Sequence, residues 1–200
     1  MSRSVTWLRP AELSPDEHRR RLLLATTTGL GVAGLAATAY PFLDSMEPSA
    51  RALAEGGPVS VDLSTFAEGE MRTVAWRSKP VWILRRSPAV IAALQQPNSA
   101  LLDPLSRHSV QPPGCDNATR SLKPEWLVAV GICTHLGCIP LLHWHDAALN
   151  AELHAPGGYL CPCHGSRFDL AARVVKNVPA PTNLEIPPYR FTGPAEITIG

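Results

Sequence analysis

The sequence predicts a mainly β protein: a single N-terminal transmembrane helix followed by an antiparallel β-domain. Three observations carry this reading. Leu22–Leu43 is a run of 22 residues without a charge. The apolar runs after residue 58 are short and separated by turn residues. Proline supplies 20 of 200 residues, about double the ~5% of average usage, which disfavours long helices elsewhere. Hydrophobic residues at 45% and charged residues at 18% exclude a disordered chain. A net charge of +1 gives no basic field to hold nucleic acid, so no nucleic-acid partner is expected. The mean hydropathy of +0.00 averages two unlike parts.

The first part begins with Ser14-Pro15-Asp16-Glu17, which reads as N-cap, proline at N1 and glutamate at N3 of a helix. The uncharged run that follows would measure ~33 Å as a helix, enough for a ~30 Å hydrocarbon core. Residues 1–43 hold five arginines against three acids, with Arg19, Arg20 and Arg21 at the edge of the span. By the positive-inside rule, residues 1–21 stay in the cytoplasm, 22–43 anchor the chain and the remainder crosses the membrane. That places the body across the membrane from the cytoplasm. Arg19-Arg20-Arg21-Leu22-Leu23 also resembles a twin-arginine export signal. Ala37-Thr38-Ala39 offers a cleavage site, but the span exceeds an ordinary signal-peptide core of ~7–15 residues, so an uncleaved anchor is expected. Gly29-Leu30-Gly31-Val32-Ala33-Gly34 matches G-x-G-x-x-G literally. It lacks the preceding strand that a dinucleotide site needs, and reads as small residues in a membrane helix.

Residues 44–58 are small, polar and Gly-Gly-bearing, and read as a flexible hinge linker. In the body, 59–200, the runs Val59–Leu63, Arg72–Trp76 and Val81–Arg86 are strand-like, divided by polar or Lys-Pro turns. Ser87-Pro88 opens a short helix through about Gln96. Pro97–Pro124 reads as a loop, and Trp126–Ile132 as a buried strand. Further short runs lie near Tyr159, Arg173–Val175 and Ile197–Ile199.

Four of the five cysteines fall in two clusters, Cys133-Thr134-His135-Leu136-Gly137-Cys138 and Cys161-Pro162-Cys163-His164-Gly165-Ser166. Each brings thiol and imidazole together on turns that glycine and proline tighten, which favours a metal site. Zinc, copper and iron–sulfur clusters all accept these ligands. The spacing is not that of a zinc knuckle, and six candidates exceed the four of a closed tetrahedral site. Four ligands plus one disulfide would use all six, in a compartment where disulfides persist.

At these residues the sequence resembles the Rieske iron–sulfur proteins, and CTHLGC and GGYLCPCHGS match their two cluster-binding boxes. The paired cysteines resemble the bacterial cytochrome bc1 branch in particular. The likeness extends to the anchor, the linker, TVAWRSKPVWILRRSP and NVPAPTNLEIPP, and covers most of the chain. It implies an antiparallel β-sandwich-like domain with a small cluster-binding part at about 131–182. It further implies one [2Fe–2S] cluster per chain, with Cys133 and Cys161 on the buried iron and His135 and His164 on the outer one. Cys138 and Cys163 form the disulfide in that pattern. Ser166 donates its hydroxyl to a cluster sulfur, Leu136 lies at the docking surface, and Pro179 and Pro181 flank a loop covering the cluster.

The implied function is that of a subunit in a quinol–cytochrome c oxidoreductase, an electron-transferring and proton-translocating complex. The implied partners are cytochrome b, cytochrome c1 and quinol at the interface with cytochrome b, in a homodimer of heterotrimers. His135 and His164 would couple electron uptake to proton uptake, and the body would move on its linker. Two other readings compete: an exported Rieske subunit of another oxidoreductase such as arsenite oxidase, and a structural zinc domain. His143, His145 and His154 fall in a longer inter-box loop and are assigned no chemistry. Cys115 is left as a free thiol.

The mitochondrial-type pattern has tyrosine where this chain has Phe168, so one hydroxyl donor to a cysteine sulfur is missing. Hydrogen bonds to cluster sulfurs raise the reduction potential. Phe168→Tyr should therefore shift the midpoint upward in protein-film voltammetry, and an unchanged midpoint would refute this.

Overall fold

The computed structural model describes residues 15–49 and 56–200. The chain divides into two units, an N-terminal helix and the body. Ser14, the expected N-cap, and residues 50–55 of the expected linker lie outside the described residues. Helix α1 runs Pro15–Ser45, with Asp16 and Glu17 in its first turn, where carboxylates complement the helix dipole. None of its residues is buried, and it is long and apolar enough to cross a membrane. Three of its threonines bond back to the helix itself. Thr26 donates to the Leu22 carbonyl at 2.8 Å, Thr38 donates to that of Gly34 at 2.6 Å, and Thr27 donates to Leu23. Intrahelical bonds of this kind suit hydrocarbon, which offers no water. Gly29, Gly31 and Gly34 all lie inside this helix, so helix and not strand leads directly into the glycine motif.

The body is mainly β, in three antiparallel sheets of three strands. One sheet has β1 (Val59–Asp62) and β8 (Tyr189–Gly193) on either side of β9 (Glu196–Ile199). A second sets β3 (Lys79–Arg85) between β2 (Met71–Trp76) and β4 (Trp126–Val130). The third sets β6 (Gly158–Leu160) between β5 (Leu141–His143) and β7 (Arg167–Phe168). All three contribute to one hydrophobic core, from Ile197 and Ile199 through Val81, Ile83 and Val128 to Tyr159 and Phe168. β4 is buried along its whole length, as its unbroken apolar run requires.

Helix α2 (Pro88–Leu94) starts as the sequence indicates: the Ser87 hydroxyl accepts the Val90 amide at 3.2 Å and proline occupies N1. It ends earlier than Gln96. Two other expectations are corrected. The β2–β3 turn is Arg77-Ser78, both at positive φ, and Lys79-Pro80 belongs to β3. Pro80 is tolerated because it faces Ala75 on the first rung beyond the pair flanking the turn, where the partners do not bond across. The inter-box segment is not a plain loop, because it holds β5 and helix α3 (Ala147–Leu153). Asp146 caps α3 by accepting the Leu149 amide, and Asn98 donates to the Glu152 and Leu153 carbonyls at its other end. Leu149 and Leu153 pack with Ala155 and Val175 in a second small core. Arg173–Val175 makes only isolated bridges, Val174 to Phe168 and Val175 to Leu101.

Candidate metal centre

The two cysteine–histidine segments fold as the same loop. In the first, the Cys133 amide donates to the Cys138 carbonyl at 2.7 Å and the Gly137 amide to the Cys133 carbonyl at 3.0 Å. In the second, Cys161 donates to the Ser166 carbonyl at 2.8 Å and Gly165 to the Cys161 carbonyl at 3.0 Å. Each loop thus closes from its first residue to its sixth, with a glycine at the fifth. Both glycines have positive φ, 84° at Gly137 and 72° at Gly165, a conformation side chains resist. β4 feeds the first loop through Gly131 and Ile132, and β6 and β7 flank the second.

Cys138 and Cys163 are disulfide-bonded across the two loops. Cys133 and Cys161 remain free thiols, and both are buried. The sulfurs of Cys138, Cys161 and Cys163 all lie within 4.8 Å of one another, so the disulfide packs against a free thiol. Its own sulfurs are spent, and the donors left for a metal are the two thiols and two imidazoles. The rings of His135 and His164 meet edge to face, with centroids 4.8 Å apart. His135 is half-buried and His164 exposed, whereas both thiols face inward. Leu136 stands 72% exposed beside them.

Burial pushes the Cys133 thiol up, and the adjacent Cys161 sulfur pushes the same way. The His135 amide and the Ser166 hydroxyl pull it down. A buried thiol held protonated beside a second sulfur suits a bound cation, which favours the thiolate outright. Iron–sulfur groups take such thiolates, and two imidazoles at the outer side complete a mixed donor set. The residues present therefore fit a [2Fe–2S] group.

Ser166 is fully buried. Its oxygen accepts the Ala180 amide at 3.0 Å, which leaves its proton for the sulfur side. That bond ties Ala180 inward while Pro179 and Pro181 on either side stay exposed. Thr134 adds a second tie, donating to the Thr182 carbonyl at 2.7 Å. Phe168 is buried on β7 opposite Tyr159. His143, His145 and His154 are dispersed over β5, the turn before α3 and the left-handed C-cap of α3. Cys115 is unpaired and buried, with its sulfur 3.9 Å from the Tyr189 hydroxyl.

Three supporting residues escape sequence reasoning: Trp82, Gly131 and Tyr159. The Trp82 ring stacks on Tyr159 with centroids 4.8 Å apart and planes 14° from parallel. A Cβ at Gly131 would meet the same ring at 2.2 Å. Trp82 thus fills the space between the roots of both loops. The only sequence signal is a lone glycine ending a buried apolar run, the usual mark of close backbone approach.

Two family models match the chain: "Ubiquitinol-cytochrome C reductase Fe-S subunit TAT signal" over residues 10–49 and "Rieske [2Fe-2S] domain" over 108–189. The ubiquinol-cytochrome c reductase iron-sulfur subunit of Allochromatium vinosum is 51% identical, covering 92% of this chain and 89% of that one. Its counterpart in Blastochloris viridis is 42% identical over 92% and 94% of the two chains. A chain of a solved structure titled hyperthermophilic respiratory Complex III aligns at 25% identity and a TM-score of 0.45, over 86% of this chain and 97% of that one.

Gly131→Ala forces Trp82 or the strand end to move, and overpacking of this kind costs about 1–3 kcal/mol. Urea unfolding should show that loss, and a wild-type midpoint would contradict the contact.

Proposed function

The chain belongs to the family of ubiquinol–cytochrome c reductase iron–sulfur subunits, and from that membership we propose how its own residues serve the complex. Cys133 and Cys161 hold the inner iron and His135 and His164 the outer one. The observation that carries this assignment is the pairing of two buried free thiols with two adjoining, more exposed imidazoles. When bound, the group supplies one-electron transfer from quinol toward a c-type cytochrome.

The residues around it have separable tasks. An imidazole with one ring nitrogen on a metal keeps the other for a proton, so His135 or His164 receives the proton that quinol sheds. Leu136 gives an apolar contact at the face that meets cytochrome b, where the quinol binds. Ser166 donates to the sulfur side and so stabilises added negative charge. Thr134 and Ser166 hold the 179–182 segment in place as cover. The Cys138–Cys163 disulfide keeps the two loops together.

Helix α1 anchors the subunit with Arg19–Arg21 on the cytoplasmic side of a bacterial inner membrane and the body in the periplasm. The export-signal match over 10–49 supports this orientation. Cytochrome b and cytochrome c1 are the partners, in a complex built as a homodimer of heterotrimers. The membership also sets aside the arsenite oxidase reading, and the [2Fe–2S] domain match sets aside structural zinc.

Iron and sulfide analysis with EPR of the reduced membrane complex tests the ligand set. Alanine at Cys133, His135, Cys161 or His164 should each abolish the [2Fe–2S] signal, and a full signal in any one removes that residue from the set. Because α1 extends through Ser45, the expected linker 44–58 is shortened at its start, and residues 46–58 serve as the hinge on which the body carries electrons to the cytochrome. Prolines inserted there should slow cytochrome reduction several-fold in stopped flow, and unchanged rates would exclude the motion.

A further inference from the structure

Three sulfurs crowd the junction of the two loops, and two of them are already bonded to each other. Cys138, Cys161 and Cys163 hold their sulfur atoms within 4.8 Å of one another, and Cys138–Cys163 is the disulfide. Cys161 is the third, a free thiol 2% exposed. Cys133, the other free thiol at the centre, falls outside this group of three. Cys115 lies buried beside Tyr189. The three grouped sulfurs differ in access to solvent, since Cys161 is buried, Cys138 half-buried and Cys163 exposed.

As a metal ligand, the Cys161 sulfur has its lone pair engaged. With no metal to hold, a thiolate beside a disulfide is placed for exchange, in which it attacks one sulfur and expels the other. Cys163 is only two residues from Cys161, and Pro162 between them stiffens the backbone against a bond so short in sequence. Cys138, on the other loop, is therefore the sulfur attacked. Expulsion of Cys163 also exchanges a buried thiol for an exposed one. An exposed thiolate keeps the hydration that a buried one forfeits.

We infer that Cys161 is the internal nucleophile of a thiol–disulfide exchange that is held off only while Cys161 serves as a metal ligand. The inference rests on the ligand assignment above. The Cys161 thiolate forms a bond to the Cys138 sulfur, and the Cys138–Cys163 bond breaks with its electron pair on Cys163. The Cys163 thiolate takes up the proton that Cys161 gave to solvent. One disulfide and one thiol stand on each side of this step, so no oxidant or reductant takes part. The product keeps the two loops crosslinked but has spent the second buried thiol, so it no longer completes the ligand set. A chain that lacks its group is thereby withdrawn from assembly.

The test strips the membrane complex of metal with an acidic chelator and returns it to neutral pH under argon without reductant. Pairing is then followed by alkylation and non-reducing peptide mass mapping. The stripped complex should lose the Cys138–Cys163 link over minutes to hours, the ordinary range for uncatalysed rearrangement. A Cys138–Cys161 link should replace it, with Cys163 alkylated. Cys161→Ser should keep Cys138–Cys163 intact under the same treatment. A stripped wild-type complex that retains Cys138–Cys163 with Cys161 alkylated overturns the inference. Links to Cys133 or Cys115 as abundant as Cys138–Cys161 overturn it as well, because the sulfurs would then be meeting in an unfolded chain. A loaded complex that exchanges as fast as the stripped one would instead defeat the assignment of Cys161 as a ligand.

Discussion

The paired backbone closure of the two loops is the constraint on which the centre depends. Each loop bonds its first amide to its sixth carbonyl and its fifth amide to its first carbonyl, so each satisfies its own backbone without a neighbouring strand. A loop so closed can stand at the surface and still hold its first cysteine inward. The fifth position must take positive φ, which is why both loops carry glycine there. Within this common frame the side chains differ: histidine is third in one loop and fourth in the other. The crosslinked cysteines are sixth in one and third in the other. Equal loops with unequal side chains carry two buried thiols and two adjoining imidazoles, with the disulfide closed beside the Cys161 thiol.

Trp82 transmits this arrangement to the body. It lies in β3, the central strand of its sheet, and touches Gly131 below the first loop and Tyr159 below the second. The roots of the loops are therefore spaced by one rigid ring rather than by flexible side chains. The exposure gradient follows from the same placement. Thiols near the roots are buried and imidazoles near the tips reach solvent.

What could be read from the sequence was whatever depended on local chemistry. The anchor follows from an uncharged run, Ser87-Pro88 from capping, and the two loops from donor types that are rare together. The Arg77-Ser78 turn carries no Asn-Gly signal, and its conformation is imposed by pairing of β2 with β3. Helix α3 hides among three histidines, because its capping by Asn98 and its packing on Val175 come from distant chain segments. Trp82 could have been any core tryptophan. Its role exists only once β3, β4 and β6 are assembled.

The excess of proline and the buried arginines answer each other. Proline removes a backbone donor and leaves its carbonyl, so a proline-bearing segment carries surplus acceptors. Between Pro97 and Pro124 lie Pro104, Pro112 and Pro113, and no named helix or strand falls there to absorb the surplus. Long irregular segments are uncommon in compact domains for this reason. Here the donors come from side chains: Arg86 serves Thr119 and Trp126, and Arg173 serves Pro104 and Leu94. Arg120, itself inside the segment, serves Ala171 and Ala172. A guanidinium offers five donors, more than any strand residue supplies. Two guanidiniums thus stand in for a strand neighbour at Thr119 and Pro104 inside the segment, and the third ties the segment to the 169–173 turn.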